Sequence, residues 1–127
     1  MPKYNFNWSH VKRGAPFITI SKHGIAFNKI CTDFLGKPQE IMIGFDIDNL
    51  ALGVRSVDAG DFPDSFRYIE KQRDGWVRIG CKDFISYVSQ ISTIDFTTET
   101  RKFIPILDKD EQMLIVELKQ AIPDNEE

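Results

Sequence analysis

Two stretches of this chain carry the same pattern far apart in the sequence: Cys31-Thr32-Asp33-Phe34-Leu35 and Cys81-Lys82-Asp83-Phe84-Ile85. Further matches flank them in the same order. Ile20-Ser21-Lys22 corresponds to Ile69-Glu70-Lys71, and Gly24 to Gly75. Asp46 and Asp48 correspond to Asp108 and Asp110, followed by Leu52 with Leu114 and Val54 with Val116. Ordered self-similarity of this kind is the mark of a tandem duplication. The second half then carries an insertion near Ser86 to Thr100. Chance similarity between two ordinary units is the competing reading. A duplication constrains the fold strongly, because one such unit has too few strands to bury its own apolar face. Two units can interlock about a pseudo-twofold axis and cover each other, as homodimers do with two chains.

Residue patterning gives each unit the order β-β-α-β-β. Phe17–Ser21 alternates and favours a strand, Lys22-His23-Gly24 is a turn, and Ile25–Phe27 is a second strand. Asn28 reads as a helix N-cap, and Gly36 as the left-handed residue that ends a helix over Lys29–Leu35. Glu40–Phe45 and Leu50–Val57 form a hairpin around Asp46-Ile47-Asp48-Asn49. Asp58 to Ser65, with Gly60 and Pro63, is a linker. The second half predicts strands over Phe66–Lys71 and Trp76–Ile79 around a turn at Gln72–Gly75. A helix follows over Cys81 to about Gln90, then strands over Arg101–Leu107 and Met113–Lys119. The expected architecture is mainly β, of the α+β class. Two tandem β-β-α-β-β units form one pseudo-twofold, barrel-like domain over residues 1–127. The first repeat spans about 17–57, a linker 58–65, the second repeat about 66–119, and a frayed tail 120–127. Phe27, Phe34, Ile43, Val54, Phe84, Ile104 and Val116 are expected in the core.

The apolar fraction of 42% and the charged fraction of 28% suit a globular chain, and exclude a disordered or fibrous one. Apolar runs such as Ile41-Met42-Ile43 are far too short for a membrane helix. Met1-Pro2-Lys3-Tyr4-Asn5 lacks the apolar core of a signal peptide. Two cysteines are too few for a disulfide framework, so a cytoplasmic setting is expected. The net charge of −3 is unevenly placed. Seven Lys/Arg stand against five Asp/Glu through Gly60, and nine against fourteen beyond it. That distribution permits a local basic patch but not a surface coated in positive charge.

The run from Phe17 to Phe27, the helix ending in Leu35-Gly36 and the hairpin to Val54-Arg55 resemble the swapped-hairpin domain of the AbrB/MazE/SpoVT superfamily. MraZ-type proteins, with two such units in one chain, are the nearer architectural analogue. The resemblance covers about 17–57 and, more weakly, 66–119. It implies a DNA-binding fold. The chain departs from the family pattern at three points. Ile25 and Trp76 follow the turn glycines where the family has Arg. Lys29 opens the helix where Pro is common. Asp33 and Phe34 stand where one or two Arg precede Leu-Gly. These departures remove phosphate and base contacts that a family member would use.

Catalytic and metal-binding patterns are not evident. His10 and His23 are the only histidines, and no Cys/His spacing suits a metal. The Asp46-x-Asp48 and Asp108-x-Asp110 pairs sit at hairpin tips, where Asp forms turns readily, and no downstream Glu completes a calcium loop. Cys31 and Cys81 read as small core residues, with a disulfide between them as the alternative. No phosphate-binding glycine loop, nucleophile motif or dinucleotide fingerprint is present. A non-enzymatic role with no cofactor and no metal is therefore expected.

Basic residues carry the remaining signal. Lys12, Arg13, Lys22, His23 and Lys29 gather in the first half, with Lys71, Arg73, Arg78 and Lys82 as counterparts. If the two glycine turns lie side by side, Lys22, Lys29, Arg73 and Arg78 flank one groove for duplex DNA. Solvated surface charge explains the same residues equally well. The aromatic arm Tyr4, Phe6 and Trp8 suits base stacking, partner docking or an edge strand. Two functions stay open. One is a small DNA-binding regulator; the other is a protein-interaction module of the same fold that lacks DNA contacts. The sequence leaves the oligomeric state open.

Overall fold

A computed structural model of the chain describes residues 15–120. The aromatic arm, His10, Lys12, Arg13 and the tail beyond 120 lie outside the described residues. Two antiparallel five-stranded sheets share one hydrophobic core. The first contains β1 (Ile18–Ser21), β2 (Gly24–Phe27), β6 (Gln72–Arg73), β7 (Trp76–Gly80) and β8 (Arg101–Phe103), in the order β6-β7-β2-β1-β8. The second contains β3 (Glu40–Asp46), β4 (Ala51–Val57), β5 (Phe66–Arg67), β9 (Ile106–Asp108) and β10 (Met113–Glu117), in the order β5-β3-β4-β10-β9. Among the described residues, two helices, α1 (Lys29–Leu35) and α2 (Lys82–Ile91), accompany the sheets, with short 3-10 turns at Ile69–Lys71 and Leu118–Gln120. No helix among the described residues is long and apolar enough to cross a membrane.

Each half contributes to both sheets, and the halves meet at the centre of each. β2 pairs with β7 through Ile25–Ile79 and Phe27–Val77; β4 pairs with β10 through Val54–Leu114 and Leu52–Val116. These side chains point inward and are buried, along with Ile18, Ile20 and Phe103. α1 packs against both β7 and β10, so it bridges the two sheets. The helix starts where Asn28 accepts from Cys31 N–H, and stops where Gly36 turns left-handed at φ 85°. Gln112 Nε2 donates to Phe34 O at its end, 3.1 Å away.

Gly24 is a position where only glycine fits. Its φ is 144°, and a Cβ built there would stand 1.9 Å from the Ile79 carbonyl oxygen. The turn after β3 and the turn after β9 are built alike. Asp46 Oδ1 accepts from Asp48 N and Asn49 N, and Asp108 Oδ1 accepts from Asp110 N and Glu111 N, all at 3.1 Å. Each turn closes on a left-handed residue, Leu50 at φ 52° and Gln112 at φ 51°.

Several expectations need correction. The stretch Phe66–Lys71 is not one strand: β5 stops at Arg67 and a 3-10 turn follows. Gln72 and Arg73 are strand, so the hairpin turn is only Asp74-Gly75. Cross-strand pairing therefore matches Ser21–Gly24 with Arg73–Trp76, so Gly75 corresponds to His23 rather than to Gly24. The stretch Arg101–Leu107 is two strands that belong to different sheets, with the crossing at Ile104-Pro105. Alternation there buries Phe103 and Pro105, which leaves Ile104 57% exposed. A shift of one residue in a strand exchanges the faces, so Ile104 points outward and not into the core as expected. Phe27, Val54 and Val116 are buried, while Phe34, Ile43 and Phe84 are half-buried against the core.

The cysteines do not occupy equivalent helix positions. Cys31 lies inside the first turn of α1, whereas Cys81 is the residue that precedes α2. Both are free thiols. Burial pushes the Cys31 thiol up to about 12 and the Cys81 thiol to about 11.

Candidate nucleic-acid interface

The side of the first sheet that faces away from the core follows from its registers. One row across four strands reads Arg78, Ala26, Thr19, Lys102, each residue directly opposite the next. Beside it, Gly80 pairs with Gly24 and Gly24 with Ser21. Arg73 and Trp76 share this face on the β6–β7 hairpin. The outward strand positions thus hold the cations Arg73, Arg78 and Lys102 and no carboxylate, in a chain whose net charge is −3. Small side chains in the middle leave a shallow hollow of about 500 Å³.

Each cation is held by its neighbours. The Arg78 guanidinium lies over the Trp76 ring, 5.8 Å from its centroid, and Lys102 Nζ lies 5.1 Å from the Phe17 ring centroid. A cation over an aromatic face is oriented without losing its charge. Arg73 donates to the backbone oxygens of Glu70 and Gln72, at 3.1 and 2.8 Å, so its head is partly committed to its own hairpin. Lys29 opens α1 and pairs with Asp33 at 2.9 Å. An exposed pair of this kind is weak and exchangeable. Lys22 is exposed in the turn between β1 and β2, beside the exposed His23.

The two glycine turns are not side by side. Antiparallel pairing of β2 with β7 sets Gly24 against Gly80 at one end and Phe27 against Val77 at the other. The Lys22-His23 turn is therefore at one end of the sheet and the Asp74-Gly75 turn at the opposite end. Lys29 lies against Gly75, since a Cβ built at Gly75 would come 3.8 Å from Lys29 Cβ. Lys29 and Arg73 thus share one end, Lys22 has the other, and Arg78 lies between them. The sequence did not single out Lys102, which stands in the same cross-strand row as Arg78. Its place beside Thr19 depends on a long-range pairing that no local pattern reveals.

Among the described residues, no group of three or more His, Cys, Asp or Glu side chains could hold a metal ion. No buried side-chain nitrogen or oxygen among them lacks a hydrogen-bond partner. No protein-family model matches the chain, and neither does any curated protein or solved structure.

Proposed function

We propose that the protein is a small DNA-binding regulator, built from two β-β-α-β-β units in one chain, which sets the outer face of its first sheet against duplex DNA. The observation that carries this reading is that the outward strand positions of the first sheet hold Arg73, Arg78 and Lys102 and no carboxylate in an acidic chain, with Glu70 the acid that borders a second hollow beside Arg73 and Arg78. Two features support the duplicated architecture. The halves meet strand to strand at the centre of both sheets, and the Asp46 and Asp108 turns carry the same hydrogen bonds. The mismatch of Cys31 with Cys81 counts against a strictly parallel repeat in the helices.

Three interstrand steps separate Arg78 from Lys102, a span of roughly 14 Å between backbones. That is slightly more than the ~12 Å width of a major groove. The two cations would therefore reach phosphates on the two ridges rather than enter the groove. Between them lie Ala26, Gly24, Thr19 and Ser21, too short to read base edges. Phosphate contacts position a protein but carry no sequence information. Binding is therefore expected to be salt-sensitive and only weakly selective for sequence.

The test is a salt series of fluorescence anisotropy with an unrelated pair of duplexes. Arg78, Lys102, Lys22 and Arg73 engaging one phosphate each give a log–log slope of about −3 to −4. Arg78→Glu with Lys102→Glu should abolish binding while the thermal melt is retained, since both side chains are exposed. Failure of the wild type to bind at about 50 mM salt would refute the reading, as would unchanged binding by the double variant. The protein-interaction module would then be favoured, consistent with the acidic balance and the missing family arginines.

A further inference from the structure

The outward side of the second sheet differs in character from the first. One row across it reads Gly44, Gly53, Ile115, Ile106, each directly opposite the next. A Cβ built at Gly44 would meet nothing within 4 Å, and one at Gly53 only the Met113 sulfur at 3.9 Å. β3 and β4 thus form a trough where β10 and β9 form a ridge. Ile106 is 47% exposed and Ile104, just before the strand, 57%. The adjoining row reads Met42, Arg55, Met113, Asp108. Arg55 is exposed, and its guanidinium has no ion-pair partner among the described residues.

We infer that this face binds a second copy of the chain in a twofold dimer, with the axis running along the strands between β4 and β10. A rotation about that axis lays the second copy's β10 over β4 and its β9 over β3. Ile115 then descends on the glycine gap at Gly53, and Ile106 on the gap at Gly44, and the same fit recurs in reverse. Self-complementarity of this kind is what an isologous interface requires. Arg55 falls above the second copy's Met113, one strand from its Asp108, and the twofold supplies that approach twice; Glu117 comes equally near the second copy's Asp46, so the fit of the ridge to the glycine gap, not net charge, carries the interface. Each sheet face measures roughly 20 by 20 Å, from four strand spacings and about six residues of rise. Two such faces bury roughly 800 Å² together, below the ~1,200 Å² of standard interfaces and at the size of weak, transient ones, so a concentration-dependent dimer with an affinity on the order of 100 μM is expected rather than an obligate one.

The experiment is sedimentation velocity on the full chain from about 1 to about 200 μM, a range that brackets that affinity. The wild type should shift from monomer toward dimer across it. Gly44→Lys places a side chain in open space in the monomer but in the path of the second copy's Ile106. It should weaken dimerisation more than tenfold with an unchanged melt. Arg55→Glu should do the same at an exposed position, and Arg55→Lys should largely preserve the dimer. A wild type that stays monomeric throughout overturns the inference. A dimer that tolerates both Gly44→Lys and Arg55→Glu also overturns it, because association would then use another surface. DNA is absent from the measurement, so its outcome is independent of the nucleic-acid reading.

Discussion

Thr32 and Tyr68 form the one polar pair seen inside the core of the described chain, and their coupling can be measured directly. Thr32 Oγ1 and Tyr68 Oη lie 2.8 Å apart, and both residues are fully buried. The bond ties α1 to the segment after β5, where Tyr68 also meets the edge of Phe27 at 5.3 Å between ring centroids. Thr32→Val leaves the phenol buried without a partner, at a cost of about 1–3 kcal/mol. Tyr68→Phe should cost less. A helical threonine hydroxyl deprived of its partner can turn back to the carbonyl one turn earlier, here that of Asn28. The double variant removes both polar groups, so it should be more stable than the sum of the singles predicts. A coupling energy of about 1–2 kcal/mol is expected. For a chain of this length each kcal/mol moves the melting temperature by roughly 4 °C. Urea titrations of the four proteins at pH 7 give the cycle. Burial holds the phenol pKa well above its ordinary value, so both partners are neutral there. Additivity of the two single losses within about 0.3 kcal/mol would refute the claim that they act as a bonded pair.

Other perturbations test the packing around the two faces. Gly24→Ala drives a Cβ into the Ile79 carbonyl and should cost at least about 3 kcal/mol, or prevent folding; a loss under 1 kcal/mol by chemical denaturation would contradict the close approach of β2 and β7. Cys31 ionises at about 12 when folded, against 9.0 for a free thiol, so the unfolded chain releases its proton first as pH rises. Stability from this group is intact below pH 9 and falls by about 1.4 kcal/mol per pH unit between 9 and 12, a slope that Cys31→Ala should reduce in alkaline melts. Phe34→Ala and Phe84→Ala, at half-buried helix positions, should each cost roughly 2–3 kcal/mol, less than a fully buried phenylalanine would.

The first half of the chain was far more legible than the second, for local reasons. Asn28 and Gly36 mark both ends of α1 with capping chemistry that operates within a few residues, and the helix is found over Lys29–Leu35 as expected. The β3–β4 hairpin is equally local, because Asp46 writes its own turn. In the second half, long-range partners decide. Residues 69–71 follow a strand pattern but form a 3-10 turn, held where Tyr68 N–H bonds Gln39 O and Ile69 N–H bonds Pro38 O. The strand at Arg101 changes sheets at Pro105, and the period of two says nothing about which face each sheet buries. The helix match failed for a related reason. Cys-x-Asp-Phe recurs in the sequence, but β7 runs on to Gly80 and pushes the start of α2 past Cys81.

The candidate interface shows the same limit more sharply. Arg78 is singled out in the sequence as a basic counterpart in the second half, and its outward place follows from β7, where it lies between the buried Val77 and Ile79. Lys102 carries no local signal, because β8 joins β1 across most of the chain and only that pairing brings its charge into the row of Arg78. Lys22 and Arg73 read as charged turn residues, yet Arg73 is in strand β6 and their separation follows from the antiparallel β2–β7 seam. A sequence reading recovers residue types and local direction, whereas an electrostatic face is a sum over strands distant in the chain. An acidic protein can therefore present a cationic sheet that its net charge conceals. The same reasoning applies to the second sheet, where Gly44 and Gly53 look like weak strand residues until their registers put them opposite Ile115 and Ile106. Glycine in a strand gives up packing and backbone entropy. Two placed side by side next to an exposed apolar ridge make sense physically if something fills the space they leave, and the ridge of a second copy has the matching shape.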